Sequence, residues 1–192
     1  MVMSSIAAHV RLPTPGLAIR PAQAADDVFC RCLSDATLRA MFASMGLPEP
    51  LLATLLAQQF EAQRIGYRRS FPAAEYFVIT EREVAVGRVV VTIDPAEAGL
   101  CDGSDVDGEA AARSWGNRAL RIVDIALLPA AQGRGIGREV IAGLVRAAEA
   151  IGLRRLTLSV QSSNGRARSL YLRLGFIETE GEGYLHMTRR LG

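Results

Sequence analysis

The chain has 192 residues, a formal net charge of +2, 49% hydrophobic and 22% charged side chains, the composition expected of one globular domain. All 22 basic residues are arginine, which excludes Schiff-base lysines and Walker-type phosphate loops. His9 and His186 lie at opposite ends and only three cysteines are present, so no metal is expected. The balance of charge is too mild to argue for nucleic acid, and the odd cysteine count without a secretory pattern points to reduced thiols and a cytoplasmic setting.

In residues 1–16, Ile6-Ala7-Ala8 is broken by His9, Arg11 and two prolines. It is too short for a membrane span and reads as a flexible leader before a single domain over 17–192. Leu17 to Arg20, closed by Pro21, predicts a first strand. Ala24 to Met41 predicts a helix through Val28, Phe29, Leu33, Leu38 and Met41, with Asp26 and Asp27 near its positive end. Leu51 to Ile65 predicts a second helix, which Gly66 should stop. Tyr76–Thr80 and Val84–Ile93 are β-rich runs on either side of Glu81-Arg82-Glu83, the pattern of a hairpin.

Residues 94–118 are acidic, rich in glycine and alanine, and without a period. Asp105-Val106-Asp107-Gly108 is a fragment of a calcium-loop pattern, but Gly103 replaces the first acid and the closing glutamate is missing, so a mobile loop is expected. Leu120 to Leu128 reads as a strand buried on both faces, ended by Pro129. A helix over Gly135 to Ile151, a strand over Leu156 to Gln161 and a short helix bearing Ala167, Leu170, Tyr171 and Leu174 follow. Phe176–Thr179 and Tyr184–Arg189 close the chain as two strands. A strand-helix-strand unit inside an antiparallel meander is a mixed α/β sheet.

Gln132-Gly133-Arg134-Gly135-Ile136-Gly137 stands between a buried strand and an amphipathic helix. Glycines admit close approach and positive φ, and the first amides of the helix have no internal partner. Arg134 and Arg138 add charge, so the segment suits a phosphate or pyrophosphate. The spacing is G-x-G-x-G, unlike the dinucleotide fingerprint, and no acid follows at the required distance.

Val123-Asp124-Ile125-Ala126-Leu127-Leu128-Pro129 followed by Gln132-x-x-Gly135-x-Gly137 resembles motif A of the GNAT superfamily, the Gcn5-related N-acetyltransferases. Asn164, Ala167, Tyr171 and Leu174-Gly175-Phe176 resemble its motif B. The resemblance spans most of the chain and implies the acyl-CoA N-acyltransferase fold: a mostly antiparallel mixed sheet flanked by helices, with two parallel central strands that splay. It further implies acetyl-CoA as acyl donor and no metal. The amides of Gln132, Gly133, Arg134, Gly135, Ile136, Gly137 and Arg138 would bind its pyrophosphate. The backbone at Leu127 and Leu128 would pair with the pantetheine arm, Asn164 would contact the cofactor at the splay, and Tyr171 would lie near the thioester sulfur. Gln132 departs from the arginine that often opens motif A. The implied partner is a small-molecule or peptide amine, with no nucleic acid or membrane, and a homodimer is compatible. The alternative is a non-catalytic acyl-CoA sensor or assembly module of the same fold.

Transfer to an amine needs a neutral nucleophile, a polarised carbonyl and a proton for the departing thiolate. The Tyr171 phenol is acidic enough to donate one, or is a core aromatic beside Ala167 and Leu174. Asp124 is the candidate base, or is paired with a nearby arginine such as Arg121. Glu61 and Glu75 are the secondary candidates. Arg166, Arg168 and Arg173 are candidates for neutralising cofactor phosphates. Gln59, Gln63, Tyr67, Tyr76 and Tyr184 should line the acceptor side.

Overall fold

The structure is a computed structural model and describes residues 6–42, 45–94, 118–181 and 183–192. The loop predicted between Asp94 and Arg118, with its Asp105–Gly108 fragment, lies outside the described residues. The elements are β1 (Leu17–Pro21), α1 (Asp27–Phe42), α2 (Glu49–Ser70), β2 (Glu75–Glu81), β3 (Val84–Asp94), β4 (Ala119–Leu127), α3 (Ile136–Ala150), β5 (Arg155–Gln161), α4 (Gly165–Arg173), β6 (Ile177–Glu180) and β7 (Tyr184–Arg190). They build a seven-stranded sheet in the order β1-β2-β3-β4-β5-β7-β6. Among the described strands only β4 and β5 pair in parallel, as the mixed α/β reading requires.

Alternation along the strands sorts side chains onto two faces. Phe77, Ile79, Val89, Val91, Leu120, Ile122, Leu156, Leu158 and Met187 are buried on one face against Val140, Ile141 and Leu144 of α3. The registers put Tyr76, Arg88, Asp124, Thr157 and His186 on the other, where α1 packs over β3 and β4. No helix among the described residues is long and apolar enough to cross a membrane.

Two expectations are corrected. Residues 6–16 do not behave as a flexible leader: Ile6 is fully buried, Val10 is 7% exposed, and both belong to the core. Glu139 of α3 accepts from the Thr14 amide (2.8 Å) and hydroxyl (2.6 Å), Arg146 donates to the Arg11 carbonyl (2.7 Å), and the Arg82 amide donates to the Gly16 carbonyl (2.7 Å). A Cβ at Gly143 would lie 2.8 Å from Leu12 Cδ2, so the bare backbone of α3 admits the segment. In the sequence the run Ile6-Ala7-Ala8 is broken by His9, Arg11 and two prolines, yet Ile6, Ala7, Val10 and Leu12 all pack into or against the core.

Gly66 does not stop α2. Glycine costs about 1 kcal/mol inside a helix but ends one only where the chain turns left-handed, and here the next turn continues to Ser70. Phe71 closes the helix by donating its amide to the Tyr67 carbonyl at 2.8 Å, one residue before Pro72. The extra turn carries Tyr67 and sets the Phe71 ring 6.0 Å from the Arg121 guanidinium.

A packed N-terminal segment makes Ile6→Ala costly. Urea denaturation should show a loss of about 2–5 kcal/mol, the range for emptying a buried aliphatic site. An unchanged midpoint would restore the flexible reading.

Candidate active site

The sheet opens at its centre. β4 and β5 are paired in parallel from Ala119/Arg155 to Ile122/Leu158, and both strands continue beyond that point unpaired with each other. On its other side β4 stays paired with β3 as far as Gly87/Leu127. Between the partners Val90/Asp124 and Val91/Ile122, β4 carries one extra residue, Val123. Such a bulge bends and twists its strand. The Leu128 amide donates to the Val86 carbonyl of β3 (2.9 Å), so alternation turns the peptide groups of Leu127 and Ile125 toward the open edge. Gly87 permits this approach, because a Cβ there would meet Leu127 Cδ2 at 2.5 Å and the Ala126 carbonyl at 2.6 Å.

The open edge runs into the glycine loop. Gly133 (φ 77°) and Gly135 (φ 85°) take left-handed conformations that L side chains rarely adopt. The first bond of α3 joins the Glu139 amide to the Gly135 carbonyl at 3.0 Å, so the amides of Ile136, Gly137 and Arg138 have no partner inside the helix. The Arg166 guanidinium lies against Gly133, where a Cβ would be 3.1 Å from Nη2. This cradle of amides, a positive helix end and a guanidinium fits a pyrophosphate.

Two members of the loop have other work. The Gln132 amide donates to the Pro129 carbonyl (3.2 Å) and its side chain to the Leu127 carbonyl (3.0 Å), so Gln132 braces the end of β4. Arg134 reaches Glu81 of β2 through both terminal nitrogens at 3.0 and 2.6 Å, while Arg138 is exposed. Asn164 caps α4, its side-chain oxygen accepting from the Ala167 amide at 3.1 Å. Arg168 forms a bidentate pair with Glu178.

Tyr171 is 7% exposed, its ring 5.7 Å from that of Phe176. Burial, and then the charge of Asp124, push its phenol up to about 12. Burial and the same carboxylate push Tyr67 up to about 12 against a hydrogen bond from Gln63 at 2.9 Å. Asp124 therefore acts on one phenol from α4 and one from α2. It is paired with an arginine, but the partner is Arg88: Nε and Nη2 both donate to Oδ2, at 2.9 and 2.8 Å. Burial opposes the Arg88 charge, and the Asp124 carboxylate outweighs it, raising Arg88 overall. Arg121 instead donates to Asp94 at 2.7 Å. Arg88 was missed in the sequence, although it is the only charge between Val84 and Ile93 and is set in a run of valines.

The secondary candidates do not join this cluster. Glu61 pairs with Arg64 on the exposed side of α2, and Glu75 accepts from the Ile6 amide at 3.3 Å. On the acceptor side, Gln63, Tyr67 and Tyr76 are half-buried, and the Tyr76 hydroxyl is buried without a hydrogen-bond partner among the described residues. Gln59 and Tyr184 are exposed. Cys30 stands beside Arg88, its thiol raised by burial.

Residues 44–176 match the acetyltransferase (GNAT) family, and the chain belongs to that family. A stretch of 59 residues is 39% identical to the uncharacterized N-acetyltransferase YycN of Bacillus subtilis strain 168, covering 31% of this chain and 38% of that protein's length. The fold is similar to that of a PaiA N-acetyltransferase from Thermoplasma acidophilum in complex with coenzyme A, with a TM-score of 0.64 at 12% identity, covering 91% of this chain and 98% of the other. It is also similar to the ribosomal-protein-S18-alanine N-acetyltransferase of Escherichia coli, with a TM-score of 0.55 at 16% identity over 92% and 94% of the two chains.

The raised phenols have a pH consequence. Their folded values lie above the usual 10, so the unfolded chain loses these protons first and stability falls as pH rises from 10 toward 12. Of the four tyrosines, Tyr67 and Tyr171 should ionise near pH 12 in an absorbance titration, each substitution by phenylalanine removing one late step. Full ionisation of the folded protein near pH 10 would contradict this.

Proposed function

We propose that the protein transfers the acetyl group of acetyl-CoA to a primary amine by direct attack in a ternary complex. The observation that carries the reading is the open edge of β4 beyond Ile122, which is followed, after the turn at 129–132, by the amide cradle at Gly133 to Arg138. Bound acetyl-CoA would supply the activated thioester. The amides of Gly133 to Arg138, with Arg166, would hold its pyrophosphate, and the peptide group of Ile125 with the amide of Leu127 would pair with its pantetheine arm. Gln132 and Asn164 would support this indirectly by fixing β4 and the start of α4.

Tyr171 is the hydrogen donor to the leaving sulfur. With its phenol near 12 it keeps its proton at neutral pH, and it gives a complete proton only to a thiolate itself desolvated above the usual 8.5. Asp124 accepts from the amine through Oδ1, the oxygen that the Arg88 bonds leave open. Arg88 fixes the carboxylate's orientation. Positioning supplies much of the remaining acceleration. The acceptor enters on the face bearing Tyr67, Tyr76 and Asp124, and the setting is cytoplasmic with reduced thiols.

The non-catalytic acyl-CoA sensor draws on one observation, that the carboxylate offered as base is already held in an ion pair. Release of free CoA thiol with an amine panel, against a no-amine control, separates the two. The enzyme reading predicts amine-dependent release, and Tyr171→Phe should lower kcat by about 10²–10⁴ with the KM for acetyl-CoA little changed. Stabilisation by acetyl-CoA without release for any amine would favour the sensor. Unchanged kcat in Tyr171→Phe would remove Tyr171 from the chemistry.

A further inference from the structure

Beside the fork, on the face that carries Asp124, lies a cavity of about 290 Å³ lined by Asp94, Arg121, Arg155, Thr157, His186 and Thr188. Its place follows from register. Arg121 and Thr157 are parallel partners one step before the last pair, Ile122/Leu158, and Thr188 faces Thr157 from β7. His186 is the partner of Ser159, and the Ser159 hydroxyl is 3.0 Å from His186 Nδ1. The cavity thus adjoins the unpaired part of β4, with Arg121 three residues before Asp124 along the chain, on the order of 10 Å in an extended strand.

The lining has a consistent chemistry. Among the described residues the lining holds the Arg121 and Arg155 guanidiniums, the Asp94 carboxylate, two threonine hydroxyls and an imidazole, a set dominated by donors. Arg121 gives Nε to Asp94 at 2.7 Å, and its guanidinium is 6.0 Å from the Phe71 ring centroid. Thr157 Oγ1 is buried and has no hydrogen-bond partner among the described residues. Native proteins seldom leave a buried hydroxyl unpaired, and Thr157 belongs to the lining of this donor-rich cavity, so an acceptor on a ligand would satisfy it.

We propose that this cavity binds an anionic group, a carboxylate or a phosphate, on the amine acceptor, making the substrates acidic amines. The assignment rests on the acetyltransferase reading. The acceptor lies along the fork with its amine at Asp124 and its anion among Arg121, Thr157, Thr188 and His186. It requires no movement of Arg121 away from Asp94, since the remaining guanidinium nitrogens can donate.

The two histidines make the test direct, because only His9 and His186 contribute imidazole signals. At constant pH and ionic strength, acetate and methylphosphonate are titrated separately while the Cε1 protons are followed by NMR. The His186 signal should shift saturably with at least one anion, and His9 should not. Thr157→Val, which keeps the branched shape, and Arg121→Gln should each weaken binding at least five-fold. A His186 response no larger than that of His9, or variants that bind as the parent does, overturns the proposal. In the thiol-release assay, amino acids and aminoalkylphosphonates should exceed their neutral amides or esters at least ten-fold in kcat/KM, with the ratio falling toward one in Thr157→Val. The preferred series distinguishes carboxylate from phosphate. Turnover with equal kcat/KM for charged and neutral acceptors overturns the proposal and leaves the transferase reading standing. No thiol release with any amine overturns the transferase reading itself, and the assigned occupant with it.

Discussion

Val123 is one residue more than β3 can pair with, and the site is organised around that mismatch. Strict alternation would put Leu120, Ile122 and Asp124 on one face, against α3. The register instead runs Val91/Ile122 and then Val90/Asp124, so Asp124 is turned to the opposite face and meets Arg88. The pairing of β4 with β5 ends at the same level. A single extra backbone unit therefore accompanies both an open hydrogen-bonding edge and a carboxylate beside it.

The remaining parts secure these two outcomes. Gly87 lets Leu127 and the Ala126 carbonyl come close, and the Gln132 side chain holds the Leu127 carbonyl. Arg134 and Glu81 join the glycine loop to the distal end of the β2–β3 hairpin. The Arg88–Asp124 pair is mostly shielded, with side chains 12% and 17% exposed, so its electrostatics are poorly screened. Burial first, and that carboxylate second, raise the phenols of Tyr67 on α2 and Tyr171 on α4.

The glycine loop, the strand before it and the helix bearing Tyr171 were legible because their signals are local: closely spaced glycines, a nearly continuous apolar run and apolar residues at helical spacing. The seven strands followed from alternation and turn residues. The pairing of Asp124 with Arg88 was not legible, since it depends on a bulge and on register between strands separated in sequence. Arg121 looked like the nearer partner and instead meets Asp94. Gly66 signalled an end to α2, yet the helix continues one turn further, to Ser70, and carries Tyr67 to the site. Residues 6–16 looked free because His9, Arg11 and two prolines break their apolar run. Gly143, lacking a side chain for them to avoid, admits them against α3, and it lies far off in the sequence.

The central claim is that the unpaired edge of β4 is where the acyl donor lies. Amide hydrogen exchange resolved by residue tests it most directly, comparing the protein alone with the protein saturated by coenzyme A. The account predicts selective slowing at Ile125 and Leu127, together with Ile136 to Arg138. Coenzyme A that binds without altering exchange at Ile125 and Leu127 would contradict it.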